Sequence, residues 1–399
     1  MKSTKTNWPE VAVEDFTEVI TGGTPSTTKS EYWKGGNIPW LNSGELNKRV
    51  ILQADNFITQ DGLKNSAAKM MPPDTVLVAL TGATTGVSAL LKTSACGNQS
   101  VTGILPSKRH HPHFLFHYIQ SIRPRIVADS YGGAQKHISQ AYVKKIKIPL
   151  PPVDEQARIA NLLDEADELR KLRAQADRHT DTLIPALFHE MFGDSISNPK
   201  DWPRHKLPEL CEGKEGIKAG PFGSSLKKDC YTSEGPRVYG QEQVIGGDFS
   251  IGDYHISEAK FSEMSAYVVK SGDLLISLVG TIGKVIVVPD GIERGIINPR
   301  LLRVRPRRDL LHPCYLAHVL TSPSVVQFLG GIATGITMGV LNGGMLKKLN
   351  IPLPPIALQK EFAQRVTEIR ELEASQATSR TRLDALFQSM LHRAFNGEL

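Results

Sequence analysis

One phrase occurs twice in this chain. "KKIKIPLPPVDEQ" begins at Lys144 and "KKLNIPLPPIALQ" at Lys347, 203 positions later, each just before a charged stretch with helical periodicity. Proline fixes φ and excludes continuous helix. Each copy therefore reads as a stiff joint between what precedes it and a helix that follows. A chain that repeats such a joint folds as two related halves, and this long-period repeat outranks any local reading.

Four further landmarks recur in the same order. "NWPEVAVEDF" near the start returns as "DWPRHKLPEL" at Asp201. "PPDTVLVALTGATTG" at Pro72 is answered by "SGDLLISLVGTIGK" at Ser271, in both cases a turn, an Asp, an apolar strand and a Gly/Thr loop. "GNQSVTGILPSKRHHPHFLFHYIQS" from Gly97 corresponds to "INPRLLRVRPRRDLLHPCYLAHVLTS" from Ile297, which aligns Asn98 with Asn298 and His111-Pro112 with His312-Pro313. "GGAQKHISQAYVKK" at Gly132 is matched by "TGITMGVLNGGMLKK" at Thr334. Within each block, β-branched runs such as Thr75 to Leu80 and Leu274 to Val279 lie between Gly/Thr/Asn/Pro turns and predict short strands. A helix is expected after each His-Pro pair, with Pro in its first turn.

After each IPLPP the apolar residues take the alternating three-four spacing of a coiled-coil seam: Ile159, Leu162, Ala166, Leu169, Ala176, Leu183 and Leu187, then Phe362, Val366, Ile369, Leu372, Leu383, Leu386 and Met390. Pro185 should end or kink the first helix near Ile184. A lone helix of this kind would leave its stripe wet, so the two stripes are expected to pack antiparallel. At about 1.5 Å per residue they make a rod of roughly 50 Å. The expected fold is α+β, with two pseudo-symmetric globular α/β domains separated by two long antiparallel helices forming a coiled coil. The expected divisions are 1–150, 151–193, 194–352 and 353–399.

Charge follows the same division. Residues 1–150 hold seventeen Lys and Arg against ten Asp and Glu, and 201–350 hold eighteen against fifteen; 151–200 hold six against ten. Basic blocks alternating with neutral or acidic segments are consistent with phosphate binding and equally with mere solubility. The start carries no apolar stretch of secretory length and no later run approaches a membrane span, which makes the cytoplasm the expected location. Cys96, Cys211, Cys230 and Cys314 stand far apart with no CxxC spacing, so reduced structural thiols are expected. Catalytic signatures are missing: no amino-methyltransferase tetrapeptide, no GxGxxG after a strand, no acid cluster with metal-binding spacing. "HHPH" at 110–113 reads as a helix-start loop, since the second copy keeps only His312-Pro313.

The two-block layout, each block closed by IPLPP and by a helix ending "LIPALFHEMFGD" or "LDALFQSMLHRAFNGEL", resembles the specificity subunit of type I restriction-modification enzymes over essentially the whole chain. "GGTPS" at 22, "IPWLNSGEL" at 38 and "LTGATTG" at 80 also look like pieces of a target-recognition domain. The second helix departs from the pattern by opening "PPIALQ", without the acid that "PPVDEQ" has at Glu155. The resemblance implies that 1–150 and 194–352 are target-recognition domains, each reading half of a bipartite double-stranded DNA site. The spacer helices 151–193 and 353–399 would act as a ruler for the gap, so lengthening the first by a heptad should widen it.

The same resemblance implies no cofactor in this chain. S-adenosylmethionine, ATP and Mg would sit on partners, namely two modification subunits docked on the helices through residues such as Ile159, Leu162, Leu169, Leu183, Phe362, Ile369, Leu372 and Leu383, and restriction subunits beyond them. No membrane contact is implied. Base edges are read by amide, hydroxyl and basic side chains. The expected DNA contacts are therefore on turn-rich loops: Thr24, Ser26, Lys29, Asn42, Ser43, Thr84, Thr85, Gln99, Gln135 and Lys136 in the first block; Ser224, Ser225, Lys227, Lys228, Gln241, Gln243, Thr281, Lys284, Arg300 and Thr337 in the second. An ordinary polar turn fits any one of them as well. Two other classes stay open: a catalytic methyltransferase or nuclease with cryptic motifs, which would act alone, and a scaffold whose repeats bind only protein.

Overall fold

The computed structural model describes residues 8–133, 136–222, 225–278, 284–332 and 343–399, arranged in two compact units. One unit holds the chain up to Gln175 together with Gln376–Leu399, and the other is Ala176–Ser375. The chain crosses between them twice, both times inside a long helix, Val153–Thr180 and Ile356–Phe395.

Each unit builds the same sheets from equivalent segments. In the first, a five-stranded sheet has the order Val19–Thr21, Val101–Ile104, Val76–Ala79, Ser88–Leu91, Val50–Ile51. The second repeats the first four strands as Ile217–Ala219, Leu301–Val304, Leu274–Ser277 and Val285–Val287. The expected strands are present, shortened to Val76–Ala79 and Leu274–Ser277; Val279 lies outside the described residues. A second, three-stranded sheet also recurs, with Ile38–Leu41 between Asn56–Ile58 and Cys96–Gly97, and Tyr231–Tyr239 between His255–Ile256 and Gly295–Ile297. The helices after His-Pro are Pro112–Ser121 and Pro313–Thr321, with Pro at the first helical position, where its missing N–H costs nothing.

The repeated phrase is more than a joint. Its first half is a strand: Lys147–Pro149 pairs antiparallel with Glu10–Ala12, and Asn350–Pro352 with Arg204–Lys206. Leu150 N donates to Pro9 O at 3.0 Å and Leu353 N to Pro203 O at 2.8 Å. The "WP" that opens each block and the "IPLP" that closes it are thus two strands of one ladder, clasping the block's ends together. Proline is tolerated because each strand is the edge of a two-stranded ribbon. The expectation of a purely proline-stiffened linker is corrected accordingly.

The last letter of the phrase does the rest. Gln156 and Gln359 are fully buried. The Gln156 Oε1 accepts from His111 N (2.8 Å), while Nε2 donates to Arg109 O (3.0 Å) and Pro151 O (2.8 Å). The Gln359 amide makes the same three bonds, to His312 N (2.8 Å), Leu310 O (3.0 Å) and Pro354 O (2.8 Å). Each glutamine pins the loop before the His-Pro helix to the first turn of the long helix, satisfying backbone groups that burial would otherwise leave unpaired.

The buried faces of the long helices differ from the expected seam. In the first unit Ile159, Ala160 and Leu163 join Phe387, Leu391 and Ala394 in one core with Phe114 and Ile119. Arg170 Nε bonds Asp384 Oδ1 at 2.7 Å with its guanidinium over the Phe387 ring, and Arg158 reaches Leu399 O, so the two segments run antiparallel. In the second unit Phe188 and Phe192 meet Phe362 edge-to-face at 5.5 and 5.4 Å. Leu169, Leu172, Leu183, Leu372 and Leu386 are exposed, Leu169 at 56%. Ile159, Phe362 and Val366 are buried as expected, while the buried positions shift from Leu162 to Leu163 in the first helix and from Leu386 and Met390 to Phe387 and Leu391 in the second. The helix break also falls earlier than Ile184. Helix ends at Thr180 and restarts at Leu183, because the Pro185 ring would meet the carbonyl four residues back, at Asp181.

"HHPH" is the helix-start loop expected, with His111 at the N-cap of Pro112–Ser121. Lys92 Nζ lies 3.2 Å from His113 Nε2, leaving His113 Nδ1–H to donate to Asp164 Oδ2 (2.6 Å), while His117 Nε2 bonds Asp164 Oδ1 (2.7 Å). Burial alone would raise the Asp164 carboxyl pKa, but the two imidazoles outweigh it and hold it well below the usual carboxylate range. Among the described residues no group of three or more His, Cys, Asp or Glu is placed to hold a metal ion. All four cysteines are free, and burial pushes the thiol pKa of Cys96 up to about 11 and that of Cys211 to about 12. No helix among the described residues is long and apolar enough to cross a membrane.

Candidate nucleic-acid interface

One turn organises the loops of each block. Asn98 Oδ1 accepts from Ser100 N (3.0 Å) and Asn298 Oδ1 from Arg300 N (2.9 Å), closing the same Asx turn in both repeats. Asn98 N donates to Leu41 O and Asn298 N to Tyr239 O, both at 2.9 Å, which brings the segments starting at Asn42 and Gly240 alongside. Leu80 N bonds Ser100 O (2.8 Å) and Leu278 N bonds Arg300 O (3.0 Å), adding the loops that follow the central strands. Gly22 N donates to Val101 O (3.0 Å) and Gly220 N to Leu301 O (2.9 Å), adding a fourth segment. A Cβ on Gly22 would collide with Gly97 O, and one on Gly220 with Asn298 O, so only glycine permits this approach. In the first block Gly82 N and Thr85 Oγ1 both reach Lys136 O, at 2.9 and 3.0 Å, drawing in a fifth segment.

Most of the expected contact residues therefore gather at one end of the block's sheets. Thr24, Ser26, Lys29, Gln99 and Lys136 are exposed there, and Ser43 and Thr84 half-buried. Thr24 Oγ1 donates to Gln99 Oε1 at 2.5 Å, so these two act as one polar unit. Lys29 Nζ lies 3.1 Å from Tyr32 OH, which raises the lysine pKa. Asn42 is engaged locally, its Oδ1 accepting from Gly44 N (2.9 Å) and its Nδ2 facing Glu45 Oε1 (3.3 Å). In the second block Ser225, Lys227, Lys284 and Arg300 are exposed. Gln241 Nε2 donates to Ser277 Oγ at 2.7 Å.

Two expected contacts are corrected. Thr85 is buried with its hydroxyl spent on Gly82 O (2.8 Å) and Lys136 O. Gln243 is buried with both ends used, Oε1 on Gly240 N (2.7 Å) and Nε2 on Ile251 O (2.6 Å). Both side chains hold loops. Gln135, Ser224, Thr281 and Thr337 lie outside the described residues, as does the side chain of Lys228. Ile159 and Phe362 are core residues of their units; Leu162, Ile369 and Leu383 are half-buried.

Sequence reading missed three neighbours. Thr81 Oγ1 donates to Ser100 Oγ at 2.8 Å. Arg123 directs its guanidinium at Thr85 O and Ala83 O, both 3.4 Å, propping the Gly82–Thr84 turn from a helix start. Phe222 is 80% exposed on the loop after Gly220. Aligning the repeats on Gly22 and Gly220 would have singled it out, since Thr24 then stands opposite Phe222.

This is a duplicated α/β domain that gathers basic and hydrogen-bonding loops at one end. The chain belongs to the family of the type I restriction modification DNA specificity domain, whose profile matches residues 5–177 and again 199–381. It is 23% identical over 431 aligned residues to the EcoKI specificity subunit of Escherichia coli K12, covering 98% of this chain and 89% of that one. It is 20% identical to the MjaVIII specificity subunit of Methanocaldococcus jannaschii, with 98% and 93% covered. A specificity subunit of another Escherichia coli type I restriction enzyme is 29% identical over 153 residues, 37% of this chain, so the match spans only 38% of that relative. A solved chain of a type I restriction-modification system, described for its complex assembly and conformational transition, superposes with a TM-score of 0.66 at 22% identity, covering 99% of this chain and all of that one.

Proposed function

We propose that this chain reads a bipartite DNA site, one half with each block, for a modification complex in which it supplies no reacting group. The observation that carries this reading is the recurrence of one loop scaffold with unlike side chains. The Asn98 and Asn298 turns, the paired glycines and the strand order repeat, while the exposed residues on that scaffold do not. A common frame with variable tips suits two half-sites of different sequence.

On this reading 1–150 and 194–352 are the target-recognition domains, and the spacers 151–193 and 353–399 set the gap. Half-sites about 34 Å apart present one duplex face to both blocks. Two modification subunits dock on the long helices, where Leu169, Leu183 and Leu372 stand exposed and available to a partner. Those partners bring S-adenosylmethionine and the pocket for a flipped adenine; restriction subunits bring ATP-driven translocation and Mg-dependent cleavage. The complex works on chromosomal DNA in the cytoplasm.

The test is an electrophoretic shift of target duplex by the chain assembled with its modification partner. Specific binding should weaken about 1,000-fold or more between 50 and 200 mM salt, as for roughly six or more neutralised phosphates. A scaffold that binds only protein gives no shift, and an enzyme with cryptic motifs transfers methyl groups without the partner.

A further inference from the structure

We infer that Phe222 makes an apolar contact to a base pair of the half-site read by the second block, and that this base pair is A·T. The inference rests on the DNA-reading function proposed above. Gly22 and Gly220 occupy one place in the two repeats: each donates to the strand residue that follows the Asn turn, Val101 or Leu301, and each is packed too closely for a side chain. Two residues on, the first block has Thr24, and at its turn Gln99, joined by a 2.5 Å hydrogen bond. The second block has Phe222 and Pro299 at those positions. A polar pair on one frame is replaced by an apolar pair on the other.

Phe222 is not part of the fold's apolar interior. It is 80% exposed, and Ser225 N donates to its carbonyl at 3.2 Å. At this exposure the ring contributes little burial to the fold and is free to meet a ligand. The surroundings select the occupant. The exposed cations Arg300 and Lys227 stand on the same two loops, and Lys284 follows the neighbouring strand end, where Ser277 N bonds its carbonyl at 3.0 Å. Exposed cations on the segments bonded to the loop that carries an apolar tip suit a polyanion that also offers an apolar group. At base edges in the major groove that group is the thymine methyl, which phenylalanine contacts where amide side chains read adenine.

The experiment maps methylated sites by single-molecule sequencing of a host expressing the full chain with its modification partner, as wild type, Phe222→Ala and Phe222→Leu. Phe222→Ala should relax discrimination about 5- to 50-fold at one A·T position of one half-site and leave the other half-site untouched; Phe222→Leu should keep most of it. In a second arm, wild-type complex binds duplexes in which each thymine of that half-site is replaced by deoxyuridine, and one replacement should weaken binding by a comparable factor. An unchanged motif in Phe222→Ala together with indifference to every deoxyuridine overturns the inference while the DNA-reading function stands. Loss of association between Phe222→Ala and the modification subunit on size exclusion overturns it too, since the ring then packs on protein. A wild-type complex that yields no methylated motif overturns the DNA-reading function itself.

Discussion

Phe362→Ala should destabilise the second unit by roughly 4 kcal/mol, within the range for deleting a fully buried phenylalanine. The ring is fully buried and meets Phe188 at 5.5 Å, Phe192 at 5.4 Å and His318 at 5.0 Å, all edge-to-face. Phe188 and Phe192 also pack on Tyr315, which limits how far they can close the void. Calorimetry should show two transitions, one per unit, with only one lowered, by about 10 °C for a unit of this size. Phe362→Leu, which keeps most of the volume, should lower it far less. A shift of both transitions together, or of neither, would contradict the division into units with separate cores.

The second large effect concerns the gap. Seven residues inserted after Gln175 and seven more after Ser375 should widen it by about three base pairs and leave both half-sites unchanged. Each insertion adds about 10 Å of helix and turns the face by only about 20°. The chain passes between the units twice, in Val153–Thr180 and in Ile356–Phe395, so the paired insertion lengthens both crossings. Lengthening the first helix alone by a heptad, the simpler change that the family resemblance implies, should also widen the gap and leave both half-sites unchanged. Sequencing the methylated sites of the double insertion reads the result. Altered half-sites at an unchanged gap would sink the ruler.

Much of this was legible in the chain. Duplication was visible because backbone requirements recur: Asn98 and Asn298 close the same turn, and Pro112 and Pro313 open the same helix. The clasp of IPLP on WP was not, since strand pairing across about 140 residues leaves no local mark. Gln156 and Gln359 were invisible for a related reason. A buried glutamine is identified by the three backbone groups it satisfies, which come from distant positions. Among the candidate contacts, residue type placed most on the correct loops yet could not separate tips from props. Thr85 and Gln243 have the chemistry of readers and the hydrogen bonds of struts. Phe222 is apolar and exposed, and polar-residue criteria passed it over.

On the proposed reading, two blocks on one frame read two different half-sites. The most direct measurement of this is the methylome of a host expressing this chain with its modification partner, against the partner alone. The expected result is a bipartite, asymmetric motif, two short specified sequences separated by a fixed run of unspecified bases, absent without this chain. A single uninterrupted motif, or methylation that persists when the chain is omitted, would contradict it.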